Sequence, residues 1–139
     1  MNTPLSTEFF SQSADAHLVL GHISEELYTC DTPDKGPKNR VSSLRRLART
    51  ACADLEEIGE DGAIEIARAF WEVQKNLITE GIRLARKNTG AGKVLTAGIG
   101  ASLIAPLVGG EDLSQACGDV ADALPAFAVR EVAQRTPGL

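Results

Sequence analysis

Apolar residues recur at helical spacing through the middle of the chain. In the first part of this region they alternate three and four positions apart, with charged residues between them. The pattern predicts one helix over residues 41–58 and, after a turn near Gly59, a second over residues 61–87. Because the turn is short, we expect an antiparallel helical hairpin. The seam of the first helix is formed by Val41, Leu44, Ala48, Ala51, Leu55 and Ile58.

The chain before this hairpin is less regular. Residues 1–6 are predicted to be a loose start, followed by a helix from about Ser6 to Thr29. A short strand over residues 17–23 is the alternative, because three apolar residues follow one another there. Residues 31–39 contain two prolines, a glycine and turn-forming Asp and Asn, and this composition predicts a loop.

The segment over residues 94–110 has no charged residue and many small ones. Small residues allow helix backbones to approach closely, so residues 94–108 are predicted to be the buried central helix. Insertion of residues 94–110 into a membrane is the alternative, because the segment is near the lower length limit for crossing a bilayer. A last helix is predicted over about residues 111–135. The residues predicted for close packing or self-association are Ala97, Gly98, Ala101, Ser102 and Ala105.

The composition agrees with these helices. Apolar residues make up 43% of the 139 residues and aromatic residues only 4%, which favours helices over a β-sandwich or barrel. We predict an all-α fold, a four- to five-helix bundle, as a single domain over residues 1–139. Three widely spaced cysteines and an N-terminus without a secretory pattern predict a cytoplasmic location.

Short motifs with glycine or histidine do not complete any known site. Residues 89–94 lack the first glycine and the final Ser or Thr of a phosphate-binding loop. Gly98 and Gly100 begin a dinucleotide-binding pattern that is not completed, and no strand is predicted before them. His17 and His22, five apart, fall on different faces of a helix, and two ligands are fewer than zinc needs. We therefore predict no cofactor, no metal site and no catalytic residue.

Positive charge is concentrated in one region of a chain whose net charge is −5. Six of the 14 Lys and Arg residues lie within residues 35–49, and several fall in the first turns of a helix, where the dipole disfavours cations. This cluster predicts a surface for an acidic partner. The residues predicted to bind that partner are Lys38, Arg40, Arg45, Arg46 and Arg49.

These features predict a non-enzymatic interaction protein, such as an adaptor, an inhibitor or a small regulatory subunit. Its predicted partner is a protein with an acidic surface, or a second copy of the chain. A membrane-active protein using residues 94–110 and a nucleic-acid binder using residues 35–49 are the alternatives. An enzyme whose site has no contiguous motif also stays open, because catalytic residues need not be close in sequence.

Overall fold

A computed structural model describes residues 8–135 of the chain. The described residues are 64% helical and contain two short strands, so the prediction of a mostly helical, all-α class is confirmed. The described residues fall into two compact units that meet between Asn76 and Leu77. The predicted loose start over residues 1–6 lies outside the described residues, and the single-domain organisation stays a prediction.

The first helix, α1, spans Ser13–Val19 and is much shorter than the helix predicted over residues 6–29. It ends because Gly21 adopts a φ of 73°, a backbone conformation that glycine reaches at little cost. Residues 20–39 then form a connection without regular helix or strand. This connection contains the predicted loop, whereas the alternative strand over residues 17–23 is not formed.

The second helix, α2, spans Arg40–Thr50. It begins after Asn39, whose side-chain oxygen accepts a hydrogen bond from the backbone N–H of Ser42 (2.9 Å), as an N-cap residue does. The helix ends earlier than the predicted residue 58. Cys52 has a φ of 54°, which few residues other than glycine adopt, and this conformation interrupts the amphipathic pattern.

The third helix, α3, spans Leu55–Thr89. It contains a break at Gly59, where φ is 68° and ψ is 174°. The predicted turn at Gly59 is therefore a kink inside α3, and α2 is separated from α3 earlier, at residues 51–54. In the first unit α3 contributes two small residues to a buried cluster that also contains residues of α1 and α2. The buried core cluster consists of Ala16, Val19, Leu44, Leu47, Ala63 and Ala67.

The second unit contains a strand–helix–strand segment. Strand β1 (Leu95–Thr96) pairs in parallel with β2 (Glu111–Asp112), and α4 (Ala101–Val108) connects them, as parallel pairing requires a crossover. The predicted last helix over residues 111–135 is therefore divided. After β2 the chain forms α5 (Ser114–Cys117), a 3-10 helix (Gly118–Ala123) and α6 (Leu124–Arg135).

Residues 94–108 are not the buried central helix that their small side chains predict. Ala101 and Ala105 are buried, but Ile99 is 46% exposed. The reason is that part of the segment belongs to β1, and Gly98, with a φ of 97°, turns the chain before α4 begins. An uncharged run of small residues suits such a strand, turn and helix as well as it suits a buried helix.

Candidate functional site

The five basic residues predicted to bind a partner do not form one exposed patch. Arg46 is completely buried, so the expectation that its charge faces solvent is wrong. Lys38 donates from Nζ to the backbone carbonyl of Thr29 (3.0 Å), and Arg40 is ion-paired with Glu60. Most of these basic side chains therefore have a partner within the chain. Such partners offset the unfavourable interaction of a cation with the dipole at the start of a helix.

Arg45 and Arg49 are the more exposed members of the predicted set. Their side chains are 56% and 49% exposed, and their guanidinium nitrogens lie 3.9 Å from Glu56 and 3.5 Å from Asp34 respectively. Exposed pairs of this kind contribute little to stability. Binding of an acidic protein surface by these two residues stays a prediction.

Asp15 and Arg46 form an ion pair at the centre of the first unit, with both side chains 0% exposed. Nε and Nη2 of Arg46 lie 2.9 and 2.8 Å from Oδ1 of Asp15. The same oxygen accepts hydrogen bonds from the hydroxyls of Tyr28 (2.9 Å) and Ser43 (2.8 Å). Oδ2 accepts from the backbone N–H of Gln12 (3.0 Å). The carboxylate is thus held by donors from the residue before α1, from α2 and from the connection between the two helices.

The outer partners of this network fix the connection after α1. Arg46 also donates to the carbonyl of Pro37 and to Asp34, each at 3.2 Å. Gln12 donates from Nε2 to the hydroxyl of Tyr28 (2.8 Å). Among the described residues, no buried side-chain nitrogen or oxygen lacks a hydrogen-bond partner. The network is therefore complete in itself, and its chemistry is that of a rigid support.

Burial and neighbouring charges shift the pKa values of Tyr28 and Arg46 so that both groups keep the protonation states in which they donate hydrogen bonds. Loss of solvent, with the nearby Asp15 carboxylate, raises the pKa of Tyr28 to about 12. Burial alone would lower the pKa of Arg46, but the hydrogen bonds and charge of Asp15 outweigh it and raise that pKa. Tyr28 therefore remains a neutral donor and Arg46 a cation at ordinary pH.

A pair of half-buried histidines lies on another side of α1. Nδ1 of His17 and Nδ1 of His22 are 2.9 Å apart, and Nε2 of His17 is 2.8 Å from Oε1 of Gln74 on α3. Trp71 packs edge-on against both rings, with centroid distances of 5.4 and 5.2 Å. The prediction that the two histidines fall on different faces is wrong because α1 ends before His22, and Gly21 turns the second ring back onto the first.

The donor and acceptor roles in this pair depend on the tautomers of the two rings. An amide oxygen only accepts, so with Oε1 of Gln74 as the partner Nε2 of His17 is the donor. In that arrangement Nδ1 of His17 accepts from Nδ1 of His22, and Nε2 of His22 is the acceptor nitrogen of its ring. Partial burial, followed by repulsion from His17 when that ring is charged, lowers the pKa of His22.

The small residues predicted for self-association separate into two groups. Ala101 and Ala105 are buried in the second unit, whereas Ala97 and Ser102 are exposed and Gly98 is half-buried. The buried pair covers one side of α4, in agreement with close packing there. Self-association through this set stays a prediction.

An open cleft of about 310 Å³ lies in the second unit. Its two guanidinium groups are already bonded: Arg83 is ion-paired with Glu80 (2.7 Å), and Arg86 donates to the carbonyl of Gly92 (3.1 Å). The cleft therefore offers no ready anion site. It is lined by Thr79, Ile82, Arg83, Arg86, Leu107 and Val108.

Within residues 8–135, no three His, Cys, Asp or Glu side chains are grouped so that they could hold a metal ion. No helix in the same range is both long enough and apolar enough to cross a membrane.

Comparison with known proteins links the chain to enzymes. The family model described as Hydantoinase/oxoprolinase matches residues 6–117. The (4-{4-[2-(gamma-L-glutamylamino)ethyl]phenoxymethyl}furan-2-yl)methanamine synthase of Methanocaldococcus jannaschii is 35% identical over 137 residues, covering 96% of this chain and 42% of that protein. The synthase of the same name from Methanococcus vannielii is 33% identical over 102 residues, covering 73% of this chain and 46% of that protein. The chain thus spans less than half the length of these two relatives.

These matches correct the predicted function. Both relatives are named as synthases, so the prediction of a non-enzymatic adaptor, inhibitor or regulatory subunit is wrong. Neither alternative, a membrane-active protein or a nucleic-acid binder, is what the relatives' names describe. The buried network and the histidine pair are assembled from separate segments, so neither is contained in one sequence motif.

Proposed function

The chain belongs to the hydantoinase/oxoprolinase family, and on that premise we propose that it is part of an enzyme that forms a phenoxymethyl ether of a furan methanamine. The match to the M. jannaschii synthase, which extends over 96% of the chain, is the observation that carries this proposal. Because the chain covers only 42% of that protein, the activity is assigned to the enzyme of which the chain is a part.

The product named for the relatives defines the chemistry required. It contains a furan ring with an aminomethyl group and a phenoxymethyl group, and the phenyl ring carries a γ-glutamylaminoethyl chain. To form its ether, the O–H bond of a phenol breaks and the phenol oxygen bonds to the methylene carbon of a furan electrophile, while the leaving group on that carbon departs with its electron pair. A phenol has a pKa near 10, and removing its proton near neutral pH calls for a general base.

The first unit supports this function in two ways. The Asp15–Arg46 pair fixes the connection between α1 and α2 through hydrogen bonds on both sides. The histidine pair, His17 and His22, provides titratable groups that are held in place by Gln74. A rigid support beside an oriented imidazole is an arrangement suited to proton transfer.

A cytoplasmic location belongs to the same proposal. Cys30, Cys52 and Cys117 are free thiols, and free thiols are usual in a reducing compartment.

The proposal is tested with a chimera. The matching segment of the M. jannaschii synthase is replaced by this chain, and the chimera is produced in M. vannielii cells depleted of their own synthase. We expect the ether product to be detected in these cells by mass spectrometry, as it is when the intact M. jannaschii protein is supplied. A folded, abundant chimera without product would overturn the proposal.

A further inference from the structure

We propose that Nε2 of His22 accepts the proton of the phenolic hydroxyl group of the substrate, with His17 and Gln74 as positioning residues. The inference rests on the proposed synthase function, because the phenol is taken from the product of the relatives. In this step the O–H bond of the phenol breaks and an N–H bond forms on His22. The electron pair stays on the phenol oxygen, which becomes a nucleophilic phenolate.

The positioning follows from a continuous line of hydrogen bonds. The oxygen of Gln74 accepts from Nε2 of His17 (2.8 Å), and Nδ1 of His17 accepts from Nδ1 of His22 (2.9 Å). With the Gln74 oxygen as the acceptor, each bond sets the tautomer of the next ring, and the acceptor nitrogen of His22 is Nε2. A base that is oriented by a second group, itself held by a third, is the general arrangement of an activated proton acceptor.

Other groups of the first unit are less suited to this role. Asp15 is 0% exposed, and its Oδ1 already accepts from Tyr28, Ser43 and Arg46. The hydroxyl of Tyr28 is occupied as a donor in the same network. His22, by contrast, is only half-buried, and its Nε2 has no hydrogen-bond partner among the described residues.

Protonation of Nε2 of His22 leaves the hydrogen bond between the two histidines in place. When Nε2 of His22 is protonated, the imidazolium keeps its Nδ1–H bond to the neutral His17, and this bond becomes stronger because its donor is charged. Trp71 contacts both rings edge-on and restrains them from a second side. The geometry is therefore preserved between the neutral and the protonated state.

The first test measures the tautomers of His17 and His22 in the chain by itself, without the chimera. Two-bond proton–nitrogen correlation NMR of the imidazole rings at pH 7.5 should show Nε2 of His22 and Nδ1 of His17 as unprotonated nitrogens. Gln74→Leu removes the group that orients His17, and we expect mixed tautomers on both rings in that variant. A proton on Nε2 of His22 in the unmodified chain would overturn the proposal.

The second test measures proton transfer in the chimera. His22→Ala should lower the rate of product formation by roughly 100-fold or more, the usual contribution of a general base, and added imidazole should restore part of it. Ser24→Ala, an exposed change in the same connection, is the matched control and should leave the rate unchanged. Full activity of His22→Ala, or a loss that imidazole does not relieve, would overturn the proposal.

The outcomes separate this inference from the synthase function. If the chimera with an intact His22 makes no product, the synthase function fails, while the tautomer measurement still shows whether Nε2 is an acceptor. If the chimera makes product at the same rate without His22, the synthase function stands and the role of His22 is refuted.

Discussion

The buried ion pair leads to the strongest stability prediction. Arg46→Ala removes the two donors that lie 2.9 and 2.8 Å from Oδ1 of Asp15 and leaves a carboxylate in a site without solvent contact. Donors from Tyr28, Ser43 and the backbone of Gln12 remain, but none of them carries a charge. Removing one partner of a buried pair costs about 3–5 kcal/mol, so we expect Arg46→Ala to lose about that much of its unfolding free energy.

This loss is large against the total of about 5–15 kcal/mol for an ordinary domain. It is measured by urea unfolding followed by circular dichroism, with Arg45→Ala as the control. Arg45 is half exposed and 3.9 Å from Glu56, and such a pair is worth about 1 kcal/mol or less.

If Arg46→Ala does not fold, Asp15→Asn provides a second measurement. It retains the size of the side chain and leaves Arg46 bonded to Asp34 and Pro37, so we expect a smaller but measurable loss than for Arg46→Ala. Equal stability of Arg46→Ala and Arg45→Ala would refute the reasoning, because the buried pair would then contribute no more than an exposed one.

Three other predictions concern ionisation, packing and surface charge. The pKa of Tyr28 is raised to about 12 from an unfolded value near 10; its stabilisation is therefore complete below pH 10 and is lost as pH rises through 12. Unfolding free energy measured from pH 9 to 12 should fall more steeply for the unmodified chain than for Tyr28→Phe, and parallel curves would contradict this. Ala101→Leu should lower the unfolding free energy by about 1–3 kcal/mol through overpacking, because Ala101 is only 4% exposed. Ala97→Leu, at an exposed position, is the control and should leave the melting temperature nearly unchanged. Equal melting temperatures of the two variants would contradict the close packing of Ala101. Arg45→Glu combined with Arg49→Glu should preserve helicity and melting temperature, and a loss as large as that of the buried arginine would show that these exposed pairs are structural.

The sequence predicted the helices that have a regular apolar face. Leu44 and Ala48 of the predicted seam are buried, whereas Val41 at the start of the seam is 53% exposed. Helix ends were predicted less well because they depend on single backbone conformations. Cys52 adopts a positive φ, which nothing in its residue type favours. Gly59 is a residue that commonly ends a helix, but here it forms a kink inside α3.

Most of the candidate site could not be predicted from the sequence. The one available sign was Asp15 itself, a carboxylate between two alanines on a short apolar helix, since a buried charge needs a partner. Its partners Tyr28, Ser43 and Arg46 are 13 to 31 positions away, and no spacing rule links them. The histidine pair was missed because helical periodicity was extended past Gly21, where the chain leaves the helix.

Whether the chain is a working part of a synthase is tested most directly by the product of the chimera. The measurement is the amount of ether product, identified by mass spectrometry, in cells that contain the chimera as their source of the enzyme. If the chain performs the proposed function, product accumulates with the chimera as it does with the intact M. jannaschii synthase. If the chimera is folded and abundant and no product is found, the assignment of the chain to this reaction is wrong.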